Sequence, residues 1–358
     1  MAPQHQETEA VEIKTPVAAD YRNSLTLSAV AGGKEPSTPK LEDKQRILLI
    51  VGLVLLLLVV LILIAWFVIV KAVFQHYANS VTLSLNYLDI TSIPDASTLG
   101  VEISLRAQHD ISLHATTAAT TATLAYAGSD FATFEFPALD IAKGEQDYNI
   151  TIDGDLKLTD LDVFNQMAIG VVNTEQITVK ASAELKAHGA GITYGGLDFK
   201  RELTVDGFNN FRSPAPTIDY IDFWGCTSEA YTMDINITID SVAQMGLEGI
   251  GALNLSMYYE DAYLGYAVSL KPDLGLPRGE SDQVFRAVVA ADNTAVQSMV
   301  AGVIGASAQF YITGDNAYAT EYTQFSTALQ ALNMSILYTD SLSKMKLNMS
   351  CNLLELLS

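Results

Sequence analysis

The hydrophobic pattern of the chain changes character twice. Up to about residue 46 it shows no sustained period; from Ile47 to Val70 it is an unbroken apolar run (ILLIVGLVLLLLVVLILIAWFVIV); beyond Lys71 it alternates. At about 1.5 Å per residue the run makes a helix of roughly 36 Å, enough to cross a hydrocarbon core of about 30 Å. It is also longer than the apolar core of a secretory signal peptide. The pattern therefore predicts a single transmembrane helix at residues 47–70, with Trp66 at headgroup level.

The alternating part predicts strands that are half-buried. Period two runs through Val81 to Leu88, Val101 to Leu105, Thr121 to Tyr126, Phe131 to Phe136 and Tyr148 to Leu158, between turns rich in Gly, Asp, Ser and Pro. One segment, Thr159 to Val172, reads instead as a short helix. Thr159 is the expected cap, Asp160 and Asp162 sit in the first turn, and Leu161, Phe164, Ala168 and Val171 fall near one face. Strands resume at Gln176 to Leu185 and Ile192 to Val205.

This order recurs. Asn86-Tyr-Leu-Asp-Ile aligns with Asp219-Tyr-Ile-Asp-Phe, and Asn165-Gln-Met-Ala-Ile-Gly-Val-Val with Gln297-Ser-Met-Val-Ala-Gly-Val-Ile, at nearly one offset. The second copy predicts strands at Thr232 to Asp240, Ala252 to Glu260, Tyr263 to Leu270 and Val284 to Ala290. A helix capped near Asp292 or Thr294 then runs to about Ile304, followed by a strand at Ala308 to Thr313. Pro214 and Pro216 mark the joint. The expected fold is mainly β, with a transmembrane helix followed by two antiparallel β-sandwiches at residues 76–213 and 217–350, each with one short helix.

A single helix before long-stranded sandwiches, each with a helix between its late strands, resembles the late-embryogenesis-abundant type-two (LEA-like) domain. Tandem copies behind one anchor are similar to a fungal family of uncharacterised vacuolar membrane proteins. The resemblance covers roughly residues 76 to 350 and rests on element order and on stretches such as Gln176 to Phe211. It implies a vacuolar, lysosomal or plasma-membrane location and lipid or another apolar molecule held between sheets. It implies no catalytic residues.

Charge sets the expected orientation. Lys40, Lys44 and Arg46 precede the span, and after Lys71 no basic residue comes before Arg106. The positive-inside rule places residues 1–46 in the cytosol, as a disordered tail, and the rest in a lumen or outside the cell. The acceptor motifs at Asn149, Asn236, Asn254, Asn333 and Asn348 all lie beyond the span. The formal net charge of −21, almost all of it beyond the span, argues against nucleic acid and against docking on anionic lipid. Cys226 and Cys351 either pair with each other in an oxidising compartment or stay as free or intermolecular thiols.

No motif for a phosphate loop, nucleophile elbow or zinc site is present, so neither enzyme activity nor a cofactor is expected. His109, His114 and His188 read as ordinary strand histidines, His109 facing away from Asp110 and His114. Asp153-Gly-Asp155-Leu-Lys157 reads as strand, because Lys157 stands where a calcium loop needs oxygen. Phe131, Phe134, Phe136, Leu139 and Ile141, with Tyr258, Tyr259, Tyr263 and Tyr266, are the candidate cavity lining. Thr15-Pro16 and Thr38-Pro39 are candidate phosphorylation sites in the tail. The expected function is non-enzymatic binding of lipid, an apolar ligand or a lumenal protein close to the membrane. The alternative is a structural, adhesion or signalling protein acting through its tail.

Overall fold

The computed structural model describes residues 43–316, 318–340 and 344–347. The tail up to residue 42, with both Thr-Pro pairs, lies outside the described residues, as do Asn348 and Cys351.

Helix α1, Asp43–Ser80, contains the apolar run. It is long and apolar enough to span a bilayer, and the side chains of its most apolar window are unburied. Eighteen strands follow among the described residues: β1 (Thr82–Asp95), β2 (Thr98–Ile111), β3 (Ala115–Thr117), β4 (Thr120–Tyr126), β5 (Ser129–Phe136), β6 (Asp140–Ile141) and β7 (Gly144–Leu158) come first. Helix α2 (Leu161–Asn173) leads into β8 (Gln176–Gly189), β9 (Ile192–Asp206), β10 (Thr217–Cys226), β11 (Ala230–Ser241), β12 (Met245–Gly246), β13 (Asn254–Tyr259), β14 (Ala262–Ser269) and β15 (Gly279–Ala290). Helix α3 (Ala295–Ile304), β16 (Ala308–Thr313), α4 (Thr323–Gln330), β17 (Asn333–Tyr338) and β18 (Met345–Leu347) complete the described chain.

These strands form two sheets with one plan. The first runs β1-β2-β7-β5-β4-β8-β9; the second runs β10-β11-β15-β14-β13-β16-β17. Each strand of one path has its counterpart in the other, with α2 answering to α3. The repeated helix segment keeps a glycine for a packing reason. A Cβ at Gly170 would stand 2.9 Å from the Tyr126 hydroxyl, and one at Gly302 would collide with the Tyr259 hydroxyl. The pairings along both paths are antiparallel, but each sheet adds a short parallel edge, β12 beside β1 and β18 beside β10.

The helices correct the sequence reading in detail. The cap of α2 is Asp160, whose Oδ1 accepts from the Asp162 and Val163 amides at 3.0 Å. Thr159 instead donates its amide to the Phe131 carbonyl. Leu161, at the first helical position, is exposed; the buried face is Phe164, Met167, Ala168, Val171 and Val172. Helix α4 was not expected, and it gives the second sheet two helices rather than one. Its segment TQFSTALQ has few apolar residues, and Phe325, Ala328 and Leu329 supply the buried side. Phe325 meets Phe164 of α2 edge-on at 5.6 Å.

The end of α1 is fastened to the first sheet. Phe74 is buried with Ala187 and Leu197. Gln75 donates to the Asp198 carbonyl at 2.6 Å and accepts from the Asp198 amide at 3.0 Å. Arg201 of β9 donates to the carbonyls of Ala78 and Val81. The first sheet curls until β1 and β9 face each other across a seam that no ladder closes among the described residues. Arg201 fastens the seam at one end. Gln244 fastens it at the other, donating to the Leu85 carbonyl at 2.7 Å and accepting from the Asp206 amide at 3.0 Å.

An apolar cavity inside the first sheet

Curling places the inward side chains of every long strand of the first sheet around one interior. On β2 the inward series is Ile103, Leu105, Ala107, His109 and Ile111, all buried. On β4 and β8 the inward positions include Ala122, Ala181 and Ala183, which pair on one side with Phe134, Leu124 and Phe199 in turn. Ala122 pairs with Ala183 across the ladder, so small residues meet on adjacent strands. What they leave open is a cavity of about 200 Å³.

The cavity is bounded at one end by Phe74, Tyr77 and Ala78 of α1. At the other end stand Phe164 and Val171 of α2, with Phe325 and Leu329 of α4. From His109 back to Leu99, β2 takes ten steps, or about 33 Å at the usual rise per strand residue. The lining is apolar almost throughout and contains no Lys, Arg, Asp or Glu. Such a void is expensive. At about 24 cal/mol per Å³ it costs about 5 kcal/mol, comparable to the whole net stability of many domains.

His109 departs from this apolar character. It is 5% exposed, it lines the cavity, and neither ring nitrogen has a hydrogen-bonding partner in the protein. Tyr148 of β7 meets the imidazole edge-on, centroids 5.9 Å apart. Burial pulls the His109 pKa down, opposed in part by the charge of Asp110. Burial also pushes the Tyr148 hydroxyl up, assisted by Asp140.

The candidate lining residues divide by sheet. Phe131, Phe134, Phe136, Leu139 and Ile141 all line the cavity. Tyr259 is packed in the second core against Phe310. Tyr258, Tyr263 and Tyr266 instead form a cluster around the rim of β13 and β14, with Tyr263 and Tyr266 exposed. The Tyr258 hydroxyl donates to Asp315 at 2.7 Å, and its pKa is pushed up to about 12, chiefly by that bond. Sequence reasoning missed the significance of His109, although its place in the series Leu105, Ala107, His109, Ile111 was visible.

The remaining histidines are placed apart. His114 lies between β2 and β3 and pairs with Asp140 at 2.7 Å; His188 lies 2.9 Å from the Thr193 hydroxyl. Among the described residues no group of His, Cys, Asp and Glu is arranged to hold a metal. Asp153 and Asp155 face outward from β7. Of the acceptor asparagines, Asn149 and Asn333 are exposed, whereas Asn236 and Asn254 are half-buried with their carbonyl oxygens unpartnered. Cys226 ends β10, and no described cysteine is free.

The fold and cavity define a protein with one bilayer-length helix and a β-rich part built twice on one plan. Residues 129–257 match a family described as "Protein of unknown function (DUF3712)". No curated protein matches the chain. Among solved structures it is similar to a protein from Archaeoglobus fulgidus at 10% identity and a TM-score of 0.22, covering 36% of this chain and 94% of that one. It is also similar to CBD12 from CALX1.2, at 12% identity and a TM-score of 0.19, covering 71% and 98% of the two chains. The periplasmic chaperone SfaE matches at 8% identity and a TM-score of 0.16, covering 75% and 100%.

Proposed function

We propose that this is a non-enzymatic, single-pass membrane protein whose first sheet binds a lipid chain or another apolar ligand beside the bilayer that anchors it. The cavity carries this reading. A void that costs about 5 kcal/mol is retained where a few larger side chains would fill it, and an apolar occupant recovers the lost contacts. Its position against the last turns of α1 supports a ligand drawn from the adjacent membrane. In this reading the tail is cytosolic and the sheets lie on the opposite side, as the flanking charges support, in the lumen of a vacuolar or lysosomal compartment, as the LEA-like resemblance implies. Asn149 and Asn333, being exposed, are the acceptors best placed for glycans. The repeated strand order supports grouping the two halves with LEA-like domains.

The test uses the full chain reconstituted in nanodiscs with a diazirine-bearing fatty acid. After irradiation, label on peptides of β2, β4 and β8 supports the reading. Label confined to residues 47–70 overturns it. Orientation is tested separately: a glycosidase that leaves electrophoretic mobility unchanged overturns the lumenal placement.

A further inference from the structure

We infer that His109 is the head-group contact of this cavity, and that the ligand is a single-chain amphiphile ending in a carboxyl or hydroxyl group. The inference rests on the lipid-binding reading and adds the chemistry of the ligand's polar end.

An imidazole on the inward face of β2, among Leu105, Ala107 and Ile111, has no structural partner to justify it. Leaving a buried polar group unsatisfied is costly, and native proteins rarely do so. Tyr148 packs against the ring edge-on, which orients it without using either nitrogen. Held neutral by burial, the ring offers one donor and one acceptor.

The complementary head is one that also donates and accepts. A carboxylic acid or an alcohol does both. For the acid, the proton rests on either partner and the pair stays net neutral. A choline head has no donor, and a phosphodiester brings a charge that no lysine or arginine of the lining balances. Shape agrees with one chain: the lining follows β2 from His109 back to Leu99, about 33 Å, between α1 at one end and α2 at the other. The head lies at the α1 end, beside His109, and the tail runs along β2 toward α2.

Competition against the diazirine fatty acid, on the full chain in nanodiscs, tests this. Palmitic acid and hexadecanol should displace label from β2 and β8 peptides. Methyl palmitate, which only accepts, should need about ten times the concentration, the equivalent of one hydrogen bond of about 1.4 kcal/mol. In His109→Phe the label should persist and the tenfold preference vanish; in His109→Gln, which keeps a donor and an acceptor, it should partly return. Equal competition by acid and ester in the unsubstituted protein, with labelling intact, overturns the role of His109 and leaves the lipid-binding reading standing. An absence of label from the first sheet overturns both. If His109→Phe fails to fold, His109→Leu takes its place: an acid-to-ester ratio of one supports the contact, and an unchanged tenfold ratio overturns it.

Discussion

On β4 and β8 of the first sheet the inward residues include Ala122, Ala181 and Ala183; on the corresponding β13 and β16 they include Leu255, Met257, Tyr259, Ala308, Phe310 and Ile312. The strand order is the same, yet one interior is open and the other is filled. In the second sheet Phe223, Phe285, Ala287, Val289, Leu255, Met257 and Ile336 are all fully buried. Large and small residues there interdigitate, Ala287 sitting between Phe285 and Val289 on β15. The difference teaches that topology does not decide whether such a sheet holds a cavity. A few methyl-sized side chains on adjacent strands do.

The largest test of this contrast is truncation of an aromatic on each side. Phe285→Ala, in the filled core, should cost about 3–5 kcal/mol in denaturant unfolding. Phe136→Ala, on the half-buried cavity wall, should cost less than half as much. Equal losses would show that the first interior is as tightly filled as the second.

Enlargement gives the converse. Ala287→Leu should overpack its site and cost about 1–3 kcal/mol. Ala183→Leu projects into free volume, so it should leave the melting temperature unchanged or raised while reducing the fatty-acid label. A loss of stability at Ala183 comparable to that at Ala287 breaks the contrast.

Histidine titration should act on the first sheet alone, because no histidine follows His188 in the chain. The folded pKa of His109 lies below its ordinary value of 6.5. Above about 6.5 both folded and unfolded chains keep it neutral, and it contributes no slope. Below that, the unfolded chain takes up the proton first, so stability falls with pH, by at most about 1.4 kcal/mol per unit, until the folded pKa is reached. His109→Gln should flatten this part of the stability profile. An unchanged slope would assign it to other groups.

The smallest effect concerns the outer faces, where the same strand pair carries opposite charges. Arg106 of β2 binds Asp147 of β7, and Arg286 of β15 binds Asp234 of β11, both with two hydrogen bonds. The Asp147 carboxyl is pulled down to about 2 by Arg106 and then Gln108; Asp234 is lowered mainly by Arg286. Their contribution is present above the ordinary carboxylate range near 4 and is lost as pH falls toward the folded value. Arg106→Gln should return Asp147 toward about 3.9 in an NMR titration, with little change in stability.

Much of this architecture was legible in the residues. The apolar run gave α1, alternation gave the long strands, and the two aligned segments gave the repeat, down to the glycines that let Tyr126 and Tyr259 approach their helices. Three things were not. Helix α4 has too few apolar residues to show a period, and it is defined by packing against α2. Asp160 displaced Thr159 as the cap because only the backbone conformation tells which of two adjacent cap-forming residues stands outside the helix. Ala122 sits far from Ala181 and Ala183 in sequence and meets them only through the ladder, so the void had no local signal.

The seam between β1 and β9 has a mechanical consequence. Most boundaries in a curled sheet are continuous ladders, which part only by breaking several backbone bonds together. This one is buttoned by Arg201 at the end beside Ala78 and Val81 and by Gln244 at the other. A wall fastened at two points can gape between them while every strand keeps its neighbours, so the interior can widen sideways without unfolding the sheet.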